Sequence, residues 1–314
     1  MRATAPAERA RGVVAVDAMG GDKAPGAIVS GALAAVAQLG VEVLLAGPPE
    51  TLAEHLPGGA PPPGVTLIAA EQVISMDDEP AAAVRSKKDS SLVRCVDAVR
   101  DGRAGSMVSA GNTGAAMAAA LLRLGRIPGV ARPAIAVPIP VPGSDHPQLL
   151  VDAGATVDCR PEWLAQFAVL GVEYARVGLG LDEPRVGLLS NGEEPGKGDT
   201  LRKEAAALLA EVKGYCGNVE GRDLAREGVD VVVTDGFTGN VALKTLEGAL
   251  QMFAGLVFGV LDSTPAARRR RGWSSRCSST RRPTSIPTRR AAQCSSASRV
   301  SASYRTARRR RGRS

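Results

Sequence analysis

The sequence predicts an α/β protein built on a doubly wound, mostly parallel sheet in three α/β/α layers. Three observations carry that class. The first strand-like run, Val13-Val14-Ala15-Val16, is apolar without alternation, as strands covered on both faces are. Strand-like and helix-like runs then alternate as far as residue 260. Short turns containing glycine close several of the strands.

After the opening strand, strand-like runs fall at 41–46, 65–70, 106–110, 134–141, 149–153, 186–190 and 229–234. Each is a short apolar run bounded by polar residues, glycine or proline. Helical patterns occupy 27–39, 90–100, 113–124, 161–177, 201–213 and 241–260. They are longer and fall between most of the strands, which is the order of a crossover-connected parallel sheet.

Composition bounds the rest. A chain of 314 residues can bury a sizeable core. Before residue 263 no apolar run reaches the length of a spanning helix without a charge, and the first eleven residues lack the apolar segment of a secretion signal. Five cysteines at unrelated spacings give neither a disulfide framework nor a zinc pattern, so a reduced cytoplasmic protein is expected. The formal charge of +7 is unevenly placed: residues 263–314 hold 16 Arg and no Lys, Asp or Glu, leaving +7 − 16 = −9 for the rest. The expected organisation is a disordered start (1–12), an α/β body (13–262) and an Arg/Ser-rich disordered tail (263–314).

The turns hold the candidate chemistry, because open α/β sheets bind ligands beyond the carboxyl ends of their strands. Asp17-Ala18-Met19-Gly20-Gly21-Asp22 follows the first strand; its acids either cap a helix or face a ligand. Ser109-Ala110-Gly111-Asn112-Thr113-Gly114, Asp152-Ala153-Gly154-Ala155, Ser190-Asn191-Gly192 with Lys197, and Thr234-Asp235-Gly236-Phe237-Thr238-Gly239-Asn240 repeat the pattern. Glycines let the backbone approach a ligand, and helix N-termini add positive potential. Ser109, Asn112 and Thr113 are candidates to hold phosphate oxygens, with Lys197 adding a full charge. No Gly-x-Gly-x-x-Gly after a strand and no Walker lysine motif is present, which argues against an ordinary dinucleotide-binding enzyme.

Catalytic options are few. The two histidines, His55 and His146, read as a surface residue and a turn residue, and no nucleophile elbow appears. Clustered carboxylates (Asp17, Asp22, Asp152, Asp235) can hold Mg²⁺, but they cap helices and orient lysines equally well; we assign no metal and no cofactor. Without a histidine base or an elbow serine, direct attack by a substrate already nucleophilic fits best. Inorganic phosphate is such a substrate.

The segments Asp17–Asp22, 109–114, 152–155, Gly217-Asn218-Val219-Glu220-Gly221-Arg222-Asp223 and 235–240, in this order and spacing, resemble the PlsX-type phosphate acyltransferases from about 13 to 261. The resemblance implies a core fold similar to isocitrate and isopropylmalate dehydrogenases and phosphotransacetylases. It also implies transfer of a fatty acyl group from acyl carrier protein to inorganic phosphate, feeding phospholipid synthesis. A homodimer on the inner face of the cytoplasmic membrane is expected, serving a downstream glycerol-phosphate acyltransferase. For that reaction we expect Lys197, Asn191, Asn240 and Asp235 to be catalytic, Lys197 facing phosphate or oxyanion and Asp235 orienting a lysine. Asp17, Gly20, Gly21, Asp22, Ser109, Asn112, Thr113, Asp152, Thr238 and Lys244 would line the substrate and phosphate site.

Two regions stand apart. The end of the last helical run, with Phe253, Val257 and Phe258, is apolar nearly all round; it is either a core or dimer helix or, as the resemblance suggests, a tip resting on the bilayer. The tail departs from the family, whose members end in further helix and a strand carrying a His-Gly-Ser-Ser-like turn. With legal codons chosen for residues 281–311, reading from the third base of each gives Ser-Thr-Asp-Ile-Asp-Pro-Asp-Thr-Thr-Gly-Gly-Ala-Val-Leu-Leu-Gly-Val-Glu-Gly-Val-Cys-Val-Ile-Ser-His-Gly-Ser-Ser-Ser-Ser. That string resembles the missing ending, so a frameshift near 261–276 is expected. The other readings are a hydroxyacid dehydrogenase needing NAD and metal, and an inactive chain whose basic tail binds nucleic acid; no specific nucleic-acid partner is expected.

Overall fold

Val13–Asp17 (β1), Glu42–Gly47 (β2), Val65–Ala69 (β3) and Ser106–Val108 (β4) form a parallel sheet in the order β3-β2-β1-β4. The computed structural model describes residues 12–263, and the chain divides into two compact units, Met1–Gly129 and Val130–Ser314. The expectations for 1–12 and for the tail, including its reading frame, concern residues that lie outside this range except for Gly12 and Ser263.

In the first unit the helices are Gly26–Leu39 (α1), Pro49–His55 (α2), Pro80–Ser86 (α3), Ser91–Arg100 (α4) and Thr113–Ala119 (α5), the last running into a π-helical turn at Ala120–Leu124. Successive strand residues point to opposite faces, and β1 shows the result. Val16 joins Val29 of α1, Leu45 of β2 and Leu52 of α2 in one core. Its neighbour Ala15 joins Cys95 and Ala98 of α4 in another. Both faces of the sheet are therefore covered, which is why β1 reads as a continuous apolar run.

The second unit holds Ala136–Ile139 (β5), Gln148–Val151 (β6), Val186–Leu189 (β7), Tyr215–Val219 (β8) and Val231–Val233 (β9), in the order β5-β6-β9-β7-β8. Only β5, at one edge, is antiparallel. Its helices are Pro161–Tyr174 (α6), Thr200–Leu209 (α7) and Gly236–Ser263 (α8). Alternation again feeds two cores. Leu149, Val151, Val231, Val233 and Leu188 meet Leu164, Phe167 and Ala168 of α6 and Ala205 and Leu209 of α7. Leu150, Val232 and Leu189 meet Ala242, Leu243 and Leu246 of α8 on the other face. Phe167 is fully buried, and removing its ring would cost about 3–5 kcal/mol.

The parallel, two-faced α/β class is the one the sequence predicts, with its strands distributed over one sheet in each unit. Strand β8 and helices α2 and α3 are additions to the expected elements. Helix α8 begins at Gly236 rather than 241, because Asp235 caps it: Thr238 N donates to Asp235 Oδ1 at 2.9 Å and Gly239 N to Asp235 O at 2.9 Å.

Candidate active site

Strands β6, β7, β8 and β9 are parallel, so their carboxyl ends share one edge of the second sheet. Asp152, Ser190 and the pair Thr234-Asp235 stand along that edge. Thr234 is fully buried and Asp235 nearly so. Behind them α7 sends in Arg202, a buried arginine absent from the sequence-derived candidates. Its Nε donates to Leu189 O at 3.0 Å and its Nη1 to Asp199 Oδ2 at 2.8 Å. Its Nη2 donates to Asp235 Oδ2, to Thr238 Oγ1 at 3.0 Å and to Thr234 Oγ1 at 3.4 Å. One guanidinium thus ties the ends of β7 and β9 to the first turns of α7 and α8.

Asp235 orients an arginine, where the sequence predicts that it orients a lysine. Burial raises its pKa, but the Thr238 amide and hydroxyl and the Arg202 guanidinium together outweigh burial and hold it below the ordinary carboxylate value. It is ionised at neutral pH and serves as a fixed anion. Asp199 caps α7 in turn, accepting from Arg202 N at 2.9 Å.

Above this pair lies an open cavity of about 350 Å³, lined by Leu189, Ser190, Asn191, Gly198, Asp199, Arg202 and Thr238. Asn191 accepts from Gly198 N at 2.9 Å and so shapes the loop between β7 and α7. Lys197 is exposed on that loop, its stem lying against Gly192. Asn240 is exposed in the second turn of α8, with its side chain over Gly154. Lys244 is about 12 Å along the axis from the start of α8 and pairs with Glu247 at 2.8 Å. It stands about two turns beyond the helix N-terminus, beside which the sequence predicts it.

Asp152 turns inward. Its carboxylate accepts from Ala155 N at 2.8 Å and Thr156 N at 3.0 Å, and its backbone adopts φ 72°. Burial raises its pKa, and the backbone amides only partly offset that. It shapes the loop rather than facing a ligand. Gly239 is tied to the same loop: a Cβ there would stand 2.1 Å from Asp152 O, so only glycine lets α8 start so close to β6.

The first unit brings together a second set of candidates. Ser109 Oγ donates to Asp17 Oδ2 at 2.7 Å, and Gly111 N donates to Ser109 Oγ at 3.1 Å. Gly20 is where the two turns touch, since a Cβ on it would lie 2.7 Å from Asp17 Oδ2 and 2.8 Å from both Gly111 N and Ser109 Oγ. Gly21 packs on Ala110 in the same way. These glycines serve turn-to-turn packing. Asn112 caps α5 through Ala115 N at 3.0 Å, and its amide donates to Ser75 O, Met76 O and Asp78 O at 3.2–3.3 Å. That side chain is committed to the fold. Asp22 and Thr113 are exposed beside this pair of turns.

The other nucleophiles and bases are poorly placed. Burial pushes the Cys159 thiol up to about 12 and raises Cys95 and Cys216 as well, so none of these is an activated thiolate. His146 lies at the amino ends of the strands, 3.9 Å from Asp230, across the sheet from Asp235.

Residues 13–268 match the family model described as "Fatty acid synthesis protein". A phosphate acyltransferase of Nostoc punctiforme is 49% identical over 236 residues, spanning 74% of this chain and 69% of that protein. One from Anaeromyxobacter sp. is 50% identical over 260 residues, spanning 80% and 70%. The chain belongs to the phosphate acyltransferase family. As a phosphate acyltransferase family member it is an acyltransferase, which decides against the dehydrogenase reading. A phosphotransacetylase structure from Streptococcus pyogenes aligns over 79% of this chain and 85% of its own with a TM-score of 0.57 at 18% identity, a likeness of fold alone. The five motifs that carry the resemblance all lie within the matched residues.

Proposed function

We propose that this acyltransferase moves a fatty acyl group from the thioester of acyl carrier protein to inorganic phosphate, giving an acyl phosphate for phospholipid synthesis. The observation that carries the reading is the buried Arg202–Asp235 pair beneath an open cavity at the carboxyl edge of the second sheet. A phosphate oxygen attacks the thioester carbon, the C–O bond forms, the C–S bond breaks, and the carrier thiolate leaves and takes up a proton. Phosphate is already a nucleophile, so the site has only to hold anions and stabilise the oxyanion. On this reading Asn191 supplies an amide donor from the cavity lining, and Lys197 and Asn240, on the neighbouring loop and helix, add charge and a second amide. Asp235, held ionised, keeps Arg202 in place.

The same reading places the chain on the inner face of the cytoplasmic membrane as a homodimer. What supports it is α8. Its first half packs on the sheet through Ala242, Leu243 and Leu246, while Leu250, Met252, Phe253, Leu256 and Phe258 are all more than half exposed and Val257 is 39% exposed. The segment Gly236–Gly259 is long and apolar enough to cross a bilayer, but its anchored first half favours a tip lying on the surface. The product would pass to a glycerol-phosphate acyltransferase at that surface. The tail, on this reading, is written out of frame; an unambiguous in-frame read of the gene across codons 261–276 would overturn that part alone.

The test is to incubate the full chain with palmitoyl carrier protein and radiolabelled phosphate and measure the label that enters acyl phosphate. Palmitoyl-coenzyme A in place of the carrier protein tests the donor. Equal turnover with both would remove the carrier protein from the reading.

A further inference from the structure

Ser190, at the carboxyl end of β7, is fixed by its backbone: its N–H donates to Val219 O at 2.8 Å. Its hydroxyl is buried and, among the described residues, has no hydrogen-bond partner. A buried hydroxyl without a partner costs free energy, so such groups in native proteins call for an explanation. Ser190 lines the cavity over the Arg202–Asp235 pair. Both side chains border Gly198: a Cβ on it would stand 3.0 Å from Ser190 Oγ and 2.6 Å from Arg202 Cβ. At φ 99° Gly198 is in the left-handed region that favours glycine.

Arg202 has one more donor to give. A guanidinium carries five N–H groups. The Nε group is taken by Leu189 O, the two on Nη2 are shared among Asp235, Thr234 and Thr238, and one on Nη1 meets Asp199. The second Nη1 N–H has no acceptor among these contacts. Among the described residues Arg202 is the only cation in the cavity lining. A tetrahedral oxyanion suits a hydroxyl and an arginine N–H in one cavity lining. Arg202 already shares its charge with Asp199 and Asp235, so the ligand's further charge has to be met by Lys197 on the adjoining loop.

We propose that Ser190 Oγ and Arg202 Nη1 form the subsite that holds the phosphate, Ser190 donating to one oxygen and Arg202 to another. The proposal rests on the acyl-transfer reading for the identity of the ligand, but its residues come from the cavity and the unpaired hydroxyl.

Ser190→Ala is the informative variant, because Arg202 also holds the fold together. The full chain and the variant are titrated with inorganic phosphate, following thermal unfolding for binding and acyl-phosphate formation for turnover. The variant should be no less stable than the parent without phosphate. It should bind phosphate roughly ten-fold more weakly, the loss expected of one hydrogen bond to a charged group. The KM for phosphate should rise with it, and the KM for the acyl donor should not. Unchanged phosphate binding and KM overturn the subsite and leave the acyl-transfer reading standing. A parent chain that forms no acyl phosphate but binds phosphate through Ser190 overturns the acyl-transfer reading and leaves the subsite standing. A parent chain that phosphate does not stabilise at any concentration overturns the subsite.

Discussion

Arg202 and Asp235 form an ion pair in which both side chains are almost fully withdrawn from solvent, 10% and 7% exposed. Thr238 links them further, donating its N–H to Asp235 Oδ1 while its hydroxyl accepts from Arg202 Nη2 at 3.0 Å. A buried pair of this kind is a weak source of net stability but a costly one to break from one side. Its value here is positional, since it fixes two strand ends and two helix starts around a cavity.

Arg202→Met should therefore destabilise the chain by about 3–5 kcal/mol, because it strands the Asp235 charge in a dry site. Adding Asp235→Asn should recover a large part of that loss, since asparagine still caps α8. Urea denaturation of the two single variants and the double variant measures the coupling. Additive losses would show that the pair is not the unit described.

The two buried carboxylates of the second unit respond oppositely to pH. Asp235 has its native pKa below the ordinary 3.8, so its contribution to stability is full above that value and fades as pH falls toward the native one. Asp152 has its native pKa raised, so it opposes folding once pH exceeds that native value, and the penalty vanishes below the ordinary 3.8. The urea midpoint of the parent chain minus that of Asp235→Asn should shrink below about pH 4. The corresponding difference for Asp152→Asn should change in the other direction as the medium is acidified. A flat difference for either variant contradicts its assignment.

Gly20→Ala should cost about 1–3 kcal/mol, as the added methyl overlaps Asp17, Ser109 and the Gly111 amide at once. Gly31, inside α1 with nothing within 4 Å of where a methyl would sit, is the control, and Gly31→Ala should be neutral or stabilising by up to about 1 kcal/mol. Equal effects at the two sites would contradict the turn-to-turn contact.

Phe253→Asp combined with Phe258→Asp should leave folding intact, because both rings are exposed, and should reduce flotation with anionic lipid vesicles. Equal flotation of parent and variant would remove the membrane contact.

What can be read from the sequence follows from burial. Strands covered on both faces, such as β1 and Val231–Val233, announce themselves as apolar runs, and their carboxyl ends locate Asp17, Asp152 and Asp235 without further information. Strand β8 is harder to see, because Cys216-Gly217-Asn218 interrupts its apolar pattern at the edge of the sheet. Helices α2 and α3 are seven residues each and begin at prolines, too short to show a period. Arg202 escapes the sequence for a different reason. In Leu201-Arg202-Lys203-Glu204 it reads as one of several solvated helix charges, and only the folded chain shows it lying inward beside Asp235. The start of α8 is obscured because Gly236-Phe237-Thr238-Gly239 has the composition of a turn, while the cap that makes it a helix is Asp235 just before.

Lys197 gives a sharper contrast between chemistry and stability. It is exposed, so Lys197→Ala should leave the melting temperature unchanged while lowering turnover roughly ten- to a thousandfold through lost charge stabilisation. Asn240→Ala should behave alike. Unchanged kinetics for either would remove that residue from the site.

The most direct measurement is a phosphate titration of the full chain with palmitoyl carrier protein as donor, following thioester and acyl phosphate together. Acyl transfer to phosphate predicts a saturable rise with phosphate, one acyl phosphate appearing for each thioester consumed. Thioester loss that proceeds at the same rate without phosphate, or that yields free fatty acid and no acyl phosphate, would contradict it.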